Sequence, residues 1–599
     1  MKCLIAVVLL VLCSKGYSDE KTLYQSESFS IDAKSVQQGD FLAVTESDTC
    51  LQSNYVSQYK KPTKKVMDFK FSINGDDNER YPGENHHLLL DTQNGQLVSP
   101  VYTFGAPDPE KALIKGDQST GFFEDDVNVT ILVNMNPVLE SFKRIGFYTL
   151  FNGEKINADD FKGLFIAGST LPLSWDFANL SEHSEFKLAD PDGDGIYEIT
   201  LIIKQFQQAV QNTNSNKWKP SLDTSKYPQY HSDYPISDVL YNLSLEELIL
   251  DLREDGAFMA GAKWPGVWTR DISYSILLSL AIIEPEAARK SLMHKVKNQR
   301  IIQDTGTGGS WPVSTDRMTW ALAAWEIYTV TGDTNWLLEA FEIIKNSAED
   351  DLLTIINPNT GLVSGESSFL DWREQSYPRW MDPKDIYNSQ CLGTNAVHYR
   401  TYEILSEMAL TLNQPEITIK YKKTATSIKQ AINENLWLEK KGFYGQYLYG
   451  GKYYSLSPRS ETLGEALCIL FNIADKNQKQ SIITNTPTSS FGIPCFSPQI
   501  PNIPSYHNNA IWPFVEAYWA WAATKTGNSV SVEHSLASIY RSAALYLSNK
   551  ENMVAETGDY MGTEINSDRQ LWSVAGNLAI IYRIFFGMEF QSDGLYFQP

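Results

Sequence analysis

From about residue 28 to 205 the apolar positions recur with period two. Val127, Val129, Ile131, Val133 and Met135 are separated by single, mostly polar residues, and the stretch from Ile196 to Ile202 is rich in β-branched side chains. That period places alternate side chains on opposite faces of a strand. Gln93-Asn94-Gly95 lies between apolar runs and reads as a hairpin turn. Glycines and prolines are frequent and long helical patterns are missing, so the region is predicted to be a β-sandwich. Residues 206–235 are polar and read as a linker.

From about 236 to 588 the period changes to 3.6. Helices are predicted near 237–253, 271–282, 285–300, 316–331, 334–355, 390–412, 416–436, 458–471, 476–484, 507–526, 530–548 and 568–587. They form consecutive pairs with no strands alternating between them, which excludes a βα barrel. Twelve paired helices can close into a ring of six hairpins, an (α/α)6 barrel. The Trp- and Ala-rich run 510–523 reads as an inner helix, and the Lys-rich 416–436 as an outer one. The expected fold is therefore multidomain: an N-terminal β-sandwich (28–205), an all-α (α/α)6 six-hairpin barrel (236–588) and a tail (589–599).

Met1-Lys2, an apolar run from Cys3 to Cys13 and small residues up to Ser18 describe a secretory signal peptide over 1–18. A lipoprotein anchor at Cys13 is the lesser alternative, because Leu12 is a poor residue before it. The apolar run is too short to span a bilayer, and no later stretch approaches the roughly 20 apolar residues a membrane helix needs. The expectation is a secreted or periplasmic protein with no membrane span.

The net charge of −22 and the absence of a basic stripe argue against nucleic acid and anionic lipid as partners. The 15 Trp and 31 Tyr among 72 acidic residues suit a carbohydrate partner, whose C–H faces stack on rings while its hydroxyls pair with carboxylates. Cys50, Cys391, Cys468 and Cys495 fit no zinc spacing and are expected to be buried thiols, although an oxidising compartment would permit one bridge among the last three. No His pair has metal-binding spacing, so neither a metal nor a cofactor is expected. Asp190-Pro-Asp-Gly-Asp-Gly195 resembles a short calcium loop but lacks the distant Glu of an EF-hand, and reads as a strand-connecting turn.

Chemistry concentrates in five segments. Lys263–Tyr274 contains Trp268, Arg270 and Asp271, which can form a stacking wall and a sugar clamp, or a helix cap with a structural Arg. Gly308–Trp320 contains Trp311, Asp316 and Arg317, where Asp316 can cap a helix and Arg317 can lie on the surface. Gly365–Trp380 crowds Glu366, Asp371, Trp372, Arg373, Glu374, Arg379 and Trp380 into an aperiodic stretch. Glycoside cleavage needs a carboxylic acid with a raised pKa, and Asp371 and Glu374 are the candidates. The bland alternative is a salt-bridge network of Glu366, Asp371, Arg373 and Arg379. Ser505–Phe514 offers His507 and Asn508 at a helix entrance. Ala555–Ser573 offers Glu556 as a base that activates water, with Glu564 in reserve, Asp568 as a helix cap, and Trp572.

Together these segments resemble the six-hairpin glycosidases: glucoamylases, trehalases, processing glucosidases and glycogen-debranching enzymes. Val267-Trp-Thr-Arg-Asp-Ile-Ser273 is similar to the W-T-R-D-S segment whose Arg and Asp bind the sugar at the cleavage subsite, which implies that role for Arg270 and Asp271. Glu366-Ser-Ser-Phe-Leu-Asp371, followed by Arg379-Trp380, resembles the E-S-G-x-D…R-[WF] segment whose Asp is the general acid. Glu556–Ser573 resembles, with a one-residue gap, the glucoamylase stretch opened by the catalytic base. The Gly-rich run of trehalases is missing, and the W-E-E acid segment of glucoamylases is matched only loosely by Trp372-Arg-Glu374. The resemblance implies an inverting hydrolase of an α-linked glucoside or related oligosaccharide or polysaccharide. In that reading Asp371 is the acid, Glu556 the base, and Trp268, Trp311, Arg317, Trp372, Arg379, Trp380, His507 and Trp572 line the sugar. The competing readings are a polysaccharide lyase using Tyr506 and His507, and a silent glycan-binding protein.

Overall fold

The computed structural model describes the chain except residues 1–20, 82–83, 93, 110–124, 178, 209–215, 305–310, 368 and 599. The expected signal peptide with Cys13, Gln93 of the hairpin turn and the Gly-rich start of the 308–320 segment lie outside the described residues.

The chain forms two compact units. One runs from Gln58 to Val210 and is β-rich. Val66–Ile73, His86–Leu89, Leu164–Gly168 and Lys187–Leu188 make a four-stranded antiparallel sheet. Gln96–Thr103, Val127–Asn134 and Ile196–Ile203 make a three-stranded sheet in which the first two run parallel. Met67, Phe69, Phe71 and Ile73 share one core with Val127, Val129, Ile131 and Val133, which is the destination of the period-two pattern. A helix at Asn136–Ile145 has no counterpart in that pattern. It starts with a proline in its first turn and stops at Gly146, whose φ of 81° supplies the left-handed C-terminal turn. Asp190–Gly195 is the expected turn, with the Asp190 carboxylate accepting from the Gly193 and Gly195 amides.

The other unit comprises the residues up to Ser57 and from Gln211 onwards. Strands between Thr22 and Ser53 form an antiparallel meander completed by Lys217–Trp218. From residue 28 on, the period-two pattern assigns these strands to the sandwich, but Phe29, Ile31, Val36, Ala43 and Leu51 are buried in the helical core. The sheet lies on helices Pro235–Leu250 and Ser529–Tyr546, and the Ser53 hydroxyl donates to the Leu545 carbonyl at 2.6 Å. Alternation reports that a strand has a buried face, not what buries it. The expected linker is also partly built in. Trp218 donates its indole N–H to Glu246 at 2.7 Å, and the Tyr227 hydroxyl donates to Glu284 at 2.7 Å. The tail at 589–599 is largely a hairpin, Met588–Gln591 with Gly594–Phe597.

The helices follow the 3.6 period. Thr269–Ser275, Thr319–Thr331, Leu392–Thr411, Thr462–Leu470, Pro513–Thr524 and Leu571–Ala579 each touch the next, and the last returns to the first. They are buried nearly all round. Between them lie more exposed helices such as Thr334–Thr354 and Pro415–Leu436. The latter buries only Tyr421, Ala425, Ile428, Ala431, Ile432 and Leu436, a single stripe. The four cysteines among the described residues, Cys50, Cys391, Cys468 and Cys495, are free and buried.

Candidate active site

Four of the five aromatic and acidic segments run into the N-terminal end of a ring helix, the fifth, Gly365–Trp380, lies ahead of the Leu392–Thr411 helix, and hydrogen bonds tie them together. Trp268 precedes Thr269–Ser275, Asp316 starts a short turn before Thr319, Glu461 precedes Thr462, Trp512 precedes Pro513 and Gln570 precedes Leu571. Asp271, Asp316 and Asp568 are the caps the sequence suggests. The helices begin instead after Trp268, Met318, Trp512 and Gln570, none of which makes a side-chain cap bond. The acids are engaged elsewhere.

Arg270 is the centre of the first cluster. Its guanidinium donates to Asp316 and, at 2.9 Å, to Asp371, and its Nε lies 3.9 Å from Asp271. Glu366 accepts from the Ser314 hydroxyl. Ser367 donates to Glu461 at 2.8 Å, which fixes the loop that carries Asp371 to the Thr462 helix. Asp371 is 24% exposed at its side chain, and its second oxygen lies 3.9 Å from His507 Nε2. Arg270 Nε, Glu366 Oε1 and Trp572 Nε1 are buried without a hydrogen bond among the described residues. Such atoms are costly unless a ligand or water meets them.

A second cluster surrounds Tyr506. Its ring packs on Trp372, His507 and Trp512 at centroid distances of 5.0, 4.8 and 5.1 Å. Its hydroxyl donates to Glu551 at 2.9 Å, and the Trp264 indole donates to the other Glu551 oxygen at 3.3 Å. Phe369 sets its edge or face against His507, Trp512, Phe514 and Trp572, forming an aromatic floor.

Burial shapes the charges. It pushes Asp271 up to about 7, Asp316 to about 6 and Glu551 to about 8. Glu366 is pushed well above the carboxylate range by burial and by the nearby Asp371. His507 is pushed down to about 4 by burial, so it is neutral at pH 7. Glu374 differs. Burial raises it, but the hydrogen bond and charge of Arg373, together with backbone and Trp372 hydrogen bonds, outweigh that and hold it below its usual value.

Thus Arg270, Asp271, Asp371, Trp268, Trp372, His507 and Trp572 gather with Asp316, Glu366, Tyr506 and Glu551. Other expected residues do not. Glu556 is exposed on the turn after Met553–Val554, and Glu564 is also exposed. Glu374 points to solvent with Arg373. Trp311 and Arg317 face backward: both donate to the buried Asp351, at 2.8 and 2.6 Å, and Asp351 also meets His398. Arg379 is exposed and donates to the Asn502 carbonyl. Asp568 pairs with Lys550 on the surface. Arg373 pairs with Glu374 and lies 3.6 Å from Asp382. The sequence pattern does not single out Glu551, Trp264, Phe369 or Trp512. Glu551 follows the Ser529–Tyr546 helix as an ordinary polar loop residue, and only its burial distinguishes it.

Residues 273–491 match the model of the bacterial alpha-L-rhamnosidase six-hairpin glycosidase domain. No curated protein matches the sequence. Similar solved structures include a GH63 mannosylglycerate hydrolase from Thermus thermophilus in complex with glucose, with 14% identity, 57% of this chain and 99% of that chain covered and a TM-score of 0.45. A GH78 family rhamnosidase of Bacillus sp. GL1 has 16% identity, coverage of 66% and 38%, and a TM-score of 0.45. A sialidase has 12% identity, coverage of 95% and 56%, and a TM-score of 0.47. The family match lies on helices of this ring, and residues 273–491 are similar to a glycoside hydrolase domain of the six-hairpin type.

Proposed function

We propose that the protein is an exported inverting glycoside hydrolase acting on an α-linked glycoside, with Asp371 as general acid and Glu551, in place of Glu556, as general base. In this reading the twelve helices form an (α/α)6 barrel, the Gln58–Val210 unit is a β-sandwich, and the first 18 residues direct export. The assignment rests on Tyr506, whose hydroxyl donates to Glu551 while its ring packs on Trp372 and on His507, which lies 3.9 Å from Asp371.

The two carboxyls have different surroundings. Asp371 is partly open, where it can reach a leaving-group oxygen. Glu551 is buried and accepts from an indole N–H and a phenol O–H, so its ionised form is oriented while burial keeps its proton affinity high. A base with a pKa near working pH is suited to taking a proton from water. Arg270 and Asp271 line the sugar subsite, and Phe369, Trp372, Tyr506, Trp512 and Trp572 exclude water from it.

The resemblance to glucoamylases and trehalases favours an α-glucoside. The description of the matching family model favours an α-L-rhamnoside as the second reading. A lyase using Tyr506 is disfavoured, because burial pushes its hydroxyl well above the usual range and it already donates to Glu551. The test is a panel of aryl α-D-glucosides, α-L-rhamnosides and α-D-mannosides followed by proton NMR. First appearance of the anomer opposite to the substrate supports the proposal. Retention, or no cleavage of any member, contradicts it.

A further inference from the structure

Trp380, expected from the sequence to wall the cleaved sugar, stands outside the buried cluster and is 61% exposed. Its ring meets Tyr449 at 5.4 Å, nearly edge to face. Tyr449 lies on a small sheet formed by Ser389–Cys391, Tyr447–Gly450 and Tyr454–Leu456. The tip of that sheet carries Tyr453, 81% exposed, and Tyr454, also exposed. Trp380 and Tyr449 thus meet across the loop and the strand, and the Trp380 face is open to solvent. A single exposed aromatic is ordinary, but one held against a second ring by a neighbouring strand offers a stacking face.

The patch is mechanically joined to the candidate active site. Trp380 lies on the same loop as Asp371. Between them Ser376 contacts His507, which faces Asp371, and the Ser376 carbonyl accepts from Gln446, just before the Tyr447–Gly450 strand. Tyr377 and Tyr447 pack at 5.5 Å beneath the patch, with Met381 and Ile386, so the platform has a rigid base. The Tyr449 hydroxyl is oriented by donation to Asp385 at 2.7 Å. Its local charges are mixed, with Arg379, Lys384 and Lys452 beside Asp382 and Asp385, so neither a polyanion nor a polycation is selected. Flat apolar faces ringed by hydrogen-bonding groups match the C–H faces and hydroxyl rim of a neutral sugar.

Resting on the glycosidase reading, we propose that Trp380 and Tyr449 form a distal subsite that stacks a neutral sugar unit of the substrate away from the cleaved bond, so that the enzyme is built for oligosaccharides longer than a disaccharide. Such a platform acts through ground-state and transition-state binding alike, so it lowers KM for long chains more than it raises kcat.

The experiment compares the wild type with W380A and Y449A on neutral oligosaccharides of two to six units built on whichever sugar the aryl panel identifies. Binding of D371N and D371N/W380A to an array of neutral glycans is measured in parallel. The expected result is a KM that falls with chain length in the wild type. In W380A that gain should shrink by about five- to tenfold, as expected for uncovering part of one Trp face, with a smaller change in kcat. The melting temperature of W380A should stay within a degree or two, since the ring is mostly in solvent. If hydrolysis occurs but its length dependence is the same in W380A, the subsite is refuted and the hydrolase reading stands. If no glycoside is cleaved yet array binding depends on Trp380, the platform stands and the hydrolase reading fails. Loss of a dimer in W380A by size-exclusion chromatography, with length dependence unaltered, would make this face a contact between two copies and overturn the proposal.

Discussion

The Tyr506 hydroxyl donates to Glu551 at 2.9 Å, one of two hydrogen bonds that favour the ionised form of this buried carboxyl. Burial raises Glu551 to about 8, while the hydrogen bonds from Trp264 and Tyr506 act against that rise. A base must be ionised, so kcat/KM should fall as pH drops through that pKa, giving an acid limb far above the usual carboxylate range near 4. Removing one donor with Y506F should move the limb further up. A pH profile of the wild type with its acid limb near pH 4, or a downward shift in Y506F, contradicts this.

Asp371 should behave as a proton donor held in place by Arg270. D371N removes the acid while preserving shape, and should cost ~10²–10⁴-fold in kcat on substrates with poor leaving groups. The loss should be smaller on aryl glycosides whose leaving group needs little protonation. E374Q, which alters an exposed residue paired with Arg373, should keep most of the rate. Equal losses on both classes of leaving group would remove Asp371 from the acid role.

Arg270 ties Asp316 and Asp371 together inside the site. R270M should both abolish turnover and lower stability, because it leaves carboxyls buried without their counter-charge, a change typically worth ~3–5 kcal/mol. The double variant R270M/D316N should recover part of the stability and none of the activity. Differential scanning fluorimetry beside an activity assay separates the two effects. Unchanged melting in R270M would show that the ion pairs contribute little.

Buried carboxyls away from the site should give the protein a preference for mildly acidic pH. Glu516 is fully buried, and burial raises it to about 8. In the unfolded chain it titrates near 4.5, so between these values the folded state holds a proton that the unfolded state lacks. Its contribution is full below about 4.5 and is lost as pH rises towards 8, so stability falls over that window. E516Q should flatten the fall, by a few kcal/mol at pH 8 on a scale of ~1.4 kcal/mol per pKa unit. Melting temperatures of both proteins at pH 5 and pH 8 provide the check, and a steeper fall in E516Q contradicts the assignment.

The helical region is legible in the sequence because burial repeats every 3.6 residues over long stretches. Its helix ends are less so. The period over 507–526 predicts one helix, yet it begins at Pro513 because Tyr506–Trp512 is used to wall the site. The same competition delays the helix expected from 568 until Leu571. Arg270 and Asp371 stand out in sequence because Trp and charge crowd together there. Glu551 does not, since its neighbours in space, Trp264 and Tyr506, are 287 and 45 residues away along the chain. Likewise nothing in the alternation of Phe29, Ile31 and Val36 says that they pack on helices formed hundreds of residues later.

Glu551 as the water-activating carboxylate is what the mechanism turns on. The most direct measurement is kcat of E551Q and E556Q side by side, on the same aryl glycoside and with melting temperatures recorded. E551Q should lose ~10²-fold or more while remaining folded, and E556Q, changed at an exposed turn, should stay within about twofold of the wild type. A silent E551Q beside an inactive E556Q would contradict it.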